Sequence, residues 1–208
     1  MCSAMHAQLS PSSRLAKTAP EVSMEHRARR DTIESRRIAI LAADGFDYDQ
    51  LTDVREALEE AGAHTKVVSM FQGTITSSDG REMEVDKSHV TTGSIMFDAV
   101  FVPGGAGSVE AMKTQGDALH FINEAFKHGK AVGATGEGVE LLAASSTGLG
   151  GADPDGGADD ETVRSHLGVV TLRRPGGTSL KEKVKHAVGA GDGATLKFFT
   201  GAFIDAVA

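Results

Sequence analysis

Lys130-Ala-Val-Gly-Ala-Thr-Gly136-Glu-Gly-Val-Glu-Leu-Leu142 decides the fold of this chain. It begins as a short apolar run, the pattern of a buried strand, and passes through a glycine-bracketed turn into apolar residues at helical spacing. In an α/β protein such a strand–turn–helix is a nucleophile elbow. Its apex residue is forced into a strained backbone conformation and points into a cleft. Here the apex is Gly136. Glycine adopts positive φ without steric penalty, so the turn keeps its shape while no reactive side chain is present. The stretch therefore predicts an enzyme-like scaffold that performs no elbow chemistry.

The flanking sequence predicts the sheet around this elbow. Ile38-Ala-Ile-Leu-Ala42 and Phe97-Asp-Ala-Val-Phe-Val102 are apolar runs typical of strands buried on both faces, the second closed by Pro103-Gly104-Gly105. Between them, Asp49 to Ala61 carries Leu51, Val54, Ala57 and Leu58 at helical spacing, with Gly62 as C-cap. His64 to Met70 is a strand, and Gly73 to Val85 a small hairpin turning at Asp79-Gly80. Ser108 to Lys113, Asp117 to His128 and Glu137 to about Ser145 are helices, with Gly129 capping the second. The alternation predicts a mostly parallel sheet with helices on both faces. Ligands of such sheets bind beyond the carboxyl ends of the strands, here Asp44 to Asp47, Gly104-Gly105 and Gly136. Further on, Val163 to Leu172 contains an edge strand. Ser179 to Val188 and Thr195 to Val207 are helices, the last packing Leu196, Phe198, Phe199, Phe203 and Ile204 on the sheet.

The 208 residues suit one domain with tails: residues 1–36 are a basic linker or arm, 37–208 the folded domain, and 145–161 a mobile Gly/Asp-rich loop. With 40% hydrophobic and 24% charged residues the composition is that of a water-soluble globular protein. A net charge of −8 argues against nucleic acid or an anionic membrane as partner. Cys2 is the only cysteine, which excludes an intramolecular disulfide and a cysteine metal site. The histidines do not pair at metal-ligand spacing; His120 and His128 lie two turns apart on one helix. No apolar stretch is long enough to span a bilayer and no signal-peptide core is present in the first twenty residues, which leaves the compartment open. Gly189-Ala-Gly-Asp-Gly193 invites a phosphate-loop interpretation, but it follows a helix rather than a strand. A C-cap glycine, with Asp192 or Thr195 as the next N-cap, accounts for it.

Ile38 to Ser145 resembles the flavodoxin-like C-terminal domain of large-subunit catalases, itself similar to PfpI-like members of the class I glutamine amidotransferase-like superfamily. The residues that carry the resemblance are Arg37-Ile-Ala-Ile-Leu-Ala-Ala-Asp-Gly45, Phe97 to Gly105, Gly116-Asp-Ala-Leu-His120, Ala125 to Lys130 and Gly136-Glu-Gly-Val-Glu140. It implies a flavodoxin-like three-layer sandwich. In the active relatives a cysteine occupies the elbow, an acid from the first strand end supports it, and the Pro-Gly-Gly turn forms an anion hole. Carried over, the acid falls on Asp47, the nucleophile on Gly136, its neighbour on Glu137, and the anion hole on Gly104 and Gly105. These positions are vestigial, because the nucleophile is missing. The resemblance places haem in a catalase barrel that this chain does not contain. The only tyrosine, Tyr48, does not stand in the Arg-x-x-x-Tyr pattern of the family's haem ligand.

By this resemblance the chain is a non-catalytic accessory domain of a hydrogen peroxide oxidoreductase. Its partners would be the catalase core and its homotetramer, and it would act in the stress response as a molecular chaperone for unfolding client proteins. Two other readings remain at this point. One is a residual enzyme acting on small aldehydes or amides through a different nucleophile; Thr135 is next to the apex, but it belongs to the strand and should point away from the cleft. The other is a module binding a small anion at Gly104-Gly105.

Overall fold

The computed structural model of the chain describes residues 32–146, 162–173 and 192–208, all within one compact unit, Asp31–Ala208. Continuous apolar runs became central strands: β1 (Arg37–Leu41), β2 (His64–Ser69), β6 (Ala99–Val102) and β7 (Ala131–Thr135). They form a seven-stranded sheet with β5 (Lys87–Ser88), β8 (Thr162–His166) and β9 (Val169–Arg173), in the order β5-β2-β1-β6-β7-β9-β8. Every pairing is parallel except that of β8 with β9. A separate hairpin, β3 (Gly73–Thr76) and β4 (Glu82–Val85), turns at Gly80, whose φ of 90° requires glycine. The helices are α1 (Tyr48–Glu60), α2 (Ala106–Lys113), α3 (Gly116–Lys127), α4 (Gly138–Ala144) and α5 (Asp192–Val207). The result is the mostly parallel α/β sandwich that the sequence predicts.

Strand alternation divides the core in two. Ile38 and Ile40 of β1 and Phe101 of β6 face one side, where Leu51, Val54 and Leu58 of α1 and Phe199 and Phe203 of α5 cover them. Ala39 and Leu41, with Val100, Val102 and Val132, face the other side under Val109, Phe121, Ile122 and Leu142 of α2, α3 and α4. Phe199 and Phe203 stack on each other with centroids 6.0 Å apart, and each also meets Phe101. Full burial of each ring stabilises by roughly 1.5–3 kcal/mol. A methyl group on Gly133 of β7 would lie 3.0 Å from the Phe203 ring, so α5 rests on bare backbone there.

Two expectations change and two strands are added. Ile33, placed in the arm, is fully buried in the core, and Ser35 N–H donates to Gly62 O at 2.8 Å, so the domain's own packing begins before Arg37. Val163 to Leu172 contains the expected edge strand, β8, and adds a second strand, β9, with which β8 forms a hairpin. Leu167 (φ 49°) and Gly168 (φ 76°) form a two-residue turn with both φ positive. Phe198 is 68% exposed, because it sits on the outer side of α5 from Phe199 and Phe203. Lys87–Ser88, not predicted as a strand, pairs with the end of β2. The 1–31 part of the arm, Cys2, the 147–161 part of the loop and the Ser179–Val188 helix lie outside the described residues.

Candidate functional site

The three predicted strand ends do converge. Gly136 follows β7 with φ 54°, in the left-handed region, and its N–H donates to Leu172 O at 2.8 Å. Gly105, with φ 120°, precedes α2; any side chain there would strike Gly45 O at 2.4 Å. The glycine is required because the loops that follow β1 and β6 approach so closely. Asp47 N–H donates to Gly104 O at 2.8 Å, which ties the two loops together.

Asp47, read as the vestigial support acid, is the N-cap of α1. Its Oδ1 accepts from Gln50 N–H at 3.0 Å, and its Oδ2 accepts from Gln50 Nε2 at 2.8 Å. Gln50 is 5% exposed, and its Oε1 accepts from Gly104 N–H at 3.2 Å. Glu137 sits just after the apex, and its Oε2 accepts from Gly105 N–H at 2.9 Å. Both amide donors of the would-be anion hole thus have partners from within the chain. Gln50 also lies over the apex: a methyl at Gly136 would stand 3.3 Å from its Oε1 and 3.4 Å from its Nε2. Gln50 is the site residue that sequence reasoning missed. Asp47-Tyr-Asp-Gln50 has the spacing of a capping box, which marks Gln50 as a helix-start residue. In a capping box the glutamine reaches back to the N-cap N–H. That N–H is already bonded to Gly104 O, so the Gln50 amide turns to Gly104 N–H instead.

Thr135 is 1% exposed in β7, and among the described residues its buried hydroxyl has no hydrogen-bond partner and so no base to activate it as a nucleophile. Tyr48 lies at the start of α1 with the Arg81 guanidinium 3.9 Å above its ring, and Arg81 also pairs with Asp49 and Asp79. Hydrogen bonds from Arg81 and then Ser77 hold the Asp79 carboxyl well below its ordinary range. The pairing latches the β3–β4 hairpin onto the rim of the site. A tyrosine covered in this way does not fit a haem ligand, which needs an open approach for a porphyrin. His120 is exposed on α3 and His128 at its C-cap, and among the described residues no group of three or more His, Cys, Asp or Glu side chains could hold a metal. Among them, too, no helix is long and apolar enough to cross a membrane. Of Gly189–Gly193, only Asp192 and Gly193 are described, and they open α5. Taken together, the site has a nucleophile elbow's backbone with its space and its donors filled from within.

Comparison with known proteins identifies the family and the fold. The profile of the C-terminal domain found in long catalases matches residues 34–176. Catalase HPII of Mycobacterium avium is 45% identical over 113 residues, which cover 54% of this chain and 16% of that protein. Catalase-1 of Neurospora crassa is 36% identical over 178 residues, covering 85% of this chain and 23% of that protein. The chain thus spans less than a quarter of the length of either relative. Among solved structures, Drosophila melanogaster DJ-1beta matches with a TM-score of 0.62 at 20% identity, over 80% of this chain and 87% of that one. A ThiJ/PfpI domain protein from Brachyspira murdochii matches with a TM-score of 0.61 at 20% identity, over 82% and 95%. The structural likenesses establish the flavodoxin-like fold.

Proposed function

The chain belongs to the family of C-terminal domains found in long catalases, and from that premise we propose that it is a non-catalytic accessory domain. It stabilises the catalase of which such a domain is part, contributes to that enzyme's oligomer, and holds unfolding client proteins in solution. The observation that carries the non-catalytic reading is Gly136. The apex that would present a nucleophile has no side chain, and the amide donors beside it are satisfied by Gln50 and Glu137. Haem and peroxide chemistry belong to the rest of such an enzyme.

The holdase part rests on the surface. Phe71, Val90, Ile95 and Met96 are 71%, 53%, 82% and 53% exposed, and apolar side chains left in water are what an unfolded client could cover. Phe71 and Val90 each lie two residues beyond the last paired residues of β2 and β5, Ser69 and Ser88. The net charge of −8 would keep a loaded complex in solution. The test is light scattering of a heat-labile client with the folded domain in several-fold molar excess and no cofactor. Suppressed scattering is the expected result, and scattering identical to the client alone rejects the holdase. Methylglyoxal and simple amide substrates should show no turnover.

A further inference from the structure

We infer that the vestigial cleft is a closed primary-carboxamide site whose ligand is the chain's own Gln50. A ligand held by Gly104 N–H and Asp47 Oδ2 needs an oxygen acceptor toward the first and an N–H donor toward the second, side by side on one planar group. The Gln50 amide supplies both, with Oε1 at 3.2 Å from Gly104 N and Nε2 at 2.8 Å from Asp47 Oδ2. At 5% exposure the side chain has left water, so each of these bonds replaces hydration that the amide has lost. Any buried amide must be paired, but the partners here are one donor and one acceptor aimed at the two ends of a single planar group.

The same geometry decides between ligand classes. A small carboxylate could accept from Gly104 N–H, but its second oxygen would meet Asp47 Oδ2, which now receives a proton donor at 2.8 Å. Glu137 brings a second carboxylate to the neighbouring donor, Gly105 N–H. Two acids on the rim repel an anion. The anion-binding reading of Gly104-Gly105 therefore gives way to selectivity for a neutral primary amide. The site stays shut because its ligand is tethered, and a tethered group is present at an effective concentration that a free competitor must match. The cleft is amide-filled whether or not the domain holds clients.

Chemical rescue tests this. Gln50→Ala removes CH2–CONH2, the volume of acetamide. Melting temperatures are read for wild type and Gln50→Ala against rising acetamide, acetate and N,N-dimethylacetamide, the last lacking an N–H donor. Acetamide should raise the Gln50→Ala midpoint in proportion to its occupancy. Acetate and dimethylacetamide should fail to do so, and wild type should respond to none of them. A Gln50→Ala protein that acetate stabilises as well as acetamide overturns the inference, and so does one that no amide stabilises. An equal acetamide shift in wild type overturns the tethering. Gln50→Glu is the second arm, isosteric and readable even if the alanine variant does not fold. It sets a carboxylate against Asp47 and beside Glu137, so its deficit against wild type should shrink as pH falls and the new acid is protonated. A deficit independent of pH means that Gln50 only fills space.

Discussion

Adding a methyl to the elbow, Gly136→Ala, tests the backbone of the site directly. The φ of 54° places the residue in the left-handed region, which costs an L-residue about 1–2 kcal/mol. Alanine also restricts the unfolded chain, which returns about 0.4–1 kcal/mol. The new methyl would meet Gln50 Oε1 at 3.3 Å and the Gly104 Cα at 3.4 Å, close but not a collision. The net expectation is a loss of about 1 kcal/mol, which lowers the melting temperature of a domain this size by about 2–4 °C. Urea titration should give a lower midpoint with an unchanged slope. Gly136→Cys should behave alike in urea and remain inert toward methylglyoxal, because Gln50 fills the space above the apex and both amide donors are engaged. A Gly136→Ala protein as stable as wild type would refute the left-handed elbow, and turnover by Gly136→Cys with Gln50 intact would refute the closed cleft.

Phe203→Ala empties a fully buried ring site against Phe101 and Phe199 and should cost about 3–5 kcal/mol, read as a large drop in urea midpoint. Burial pushes the His89 imidazole below its ordinary 6.5, against weaker opposing pulls from Gln115 and Asp117. The folded state then binds fewer protons than the unfolded chain. Stability is full above pH 6.5 and declines as pH falls below it, and His89→Gln should flatten that part of a urea-midpoint profile. Arg81→Ala should loosen the β3–β4 hairpin with little change in global stability, seen as faster amide exchange at Thr76 and Ser77, and the effect should shrink in high salt.

The central strands and helices are legible because burial on two faces leaves few alternatives for runs such as Ile38–Ala42 and Phe97–Val102. The glycines at 62, 80 and 129 mark their turns through positive φ. The β8–β9 turn was hidden because leucine rarely occupies a left-handed position, and Leu167 does so here at φ 49°. Ile33 was hidden because one apolar residue among charged ones has no period to betray it. At the site, the three strand ends could be located from topology, and Gly136 from its sequence neighbours. The destination of the Gln50 side chain could not. It depends on a bond between Asp47 N–H and Gly104 O, residues 57 positions apart in the chain, which no local pattern encodes.

Helix α5 has a consequence for biosynthesis. It follows every described strand in the chain, yet its Phe199 and Phe203 lie against β6 and β7 in the middle of the sheet. While a ribosome is still translating the region before Asp192, Phe101 and the bare backbone at Gly133 lack the Phe199 and Phe203 rings that pack on them. A nascent chain stalled there would carry an open, greasy β-surface, whereas the opposite half-core, built from α2, α3 and α4, could already have closed.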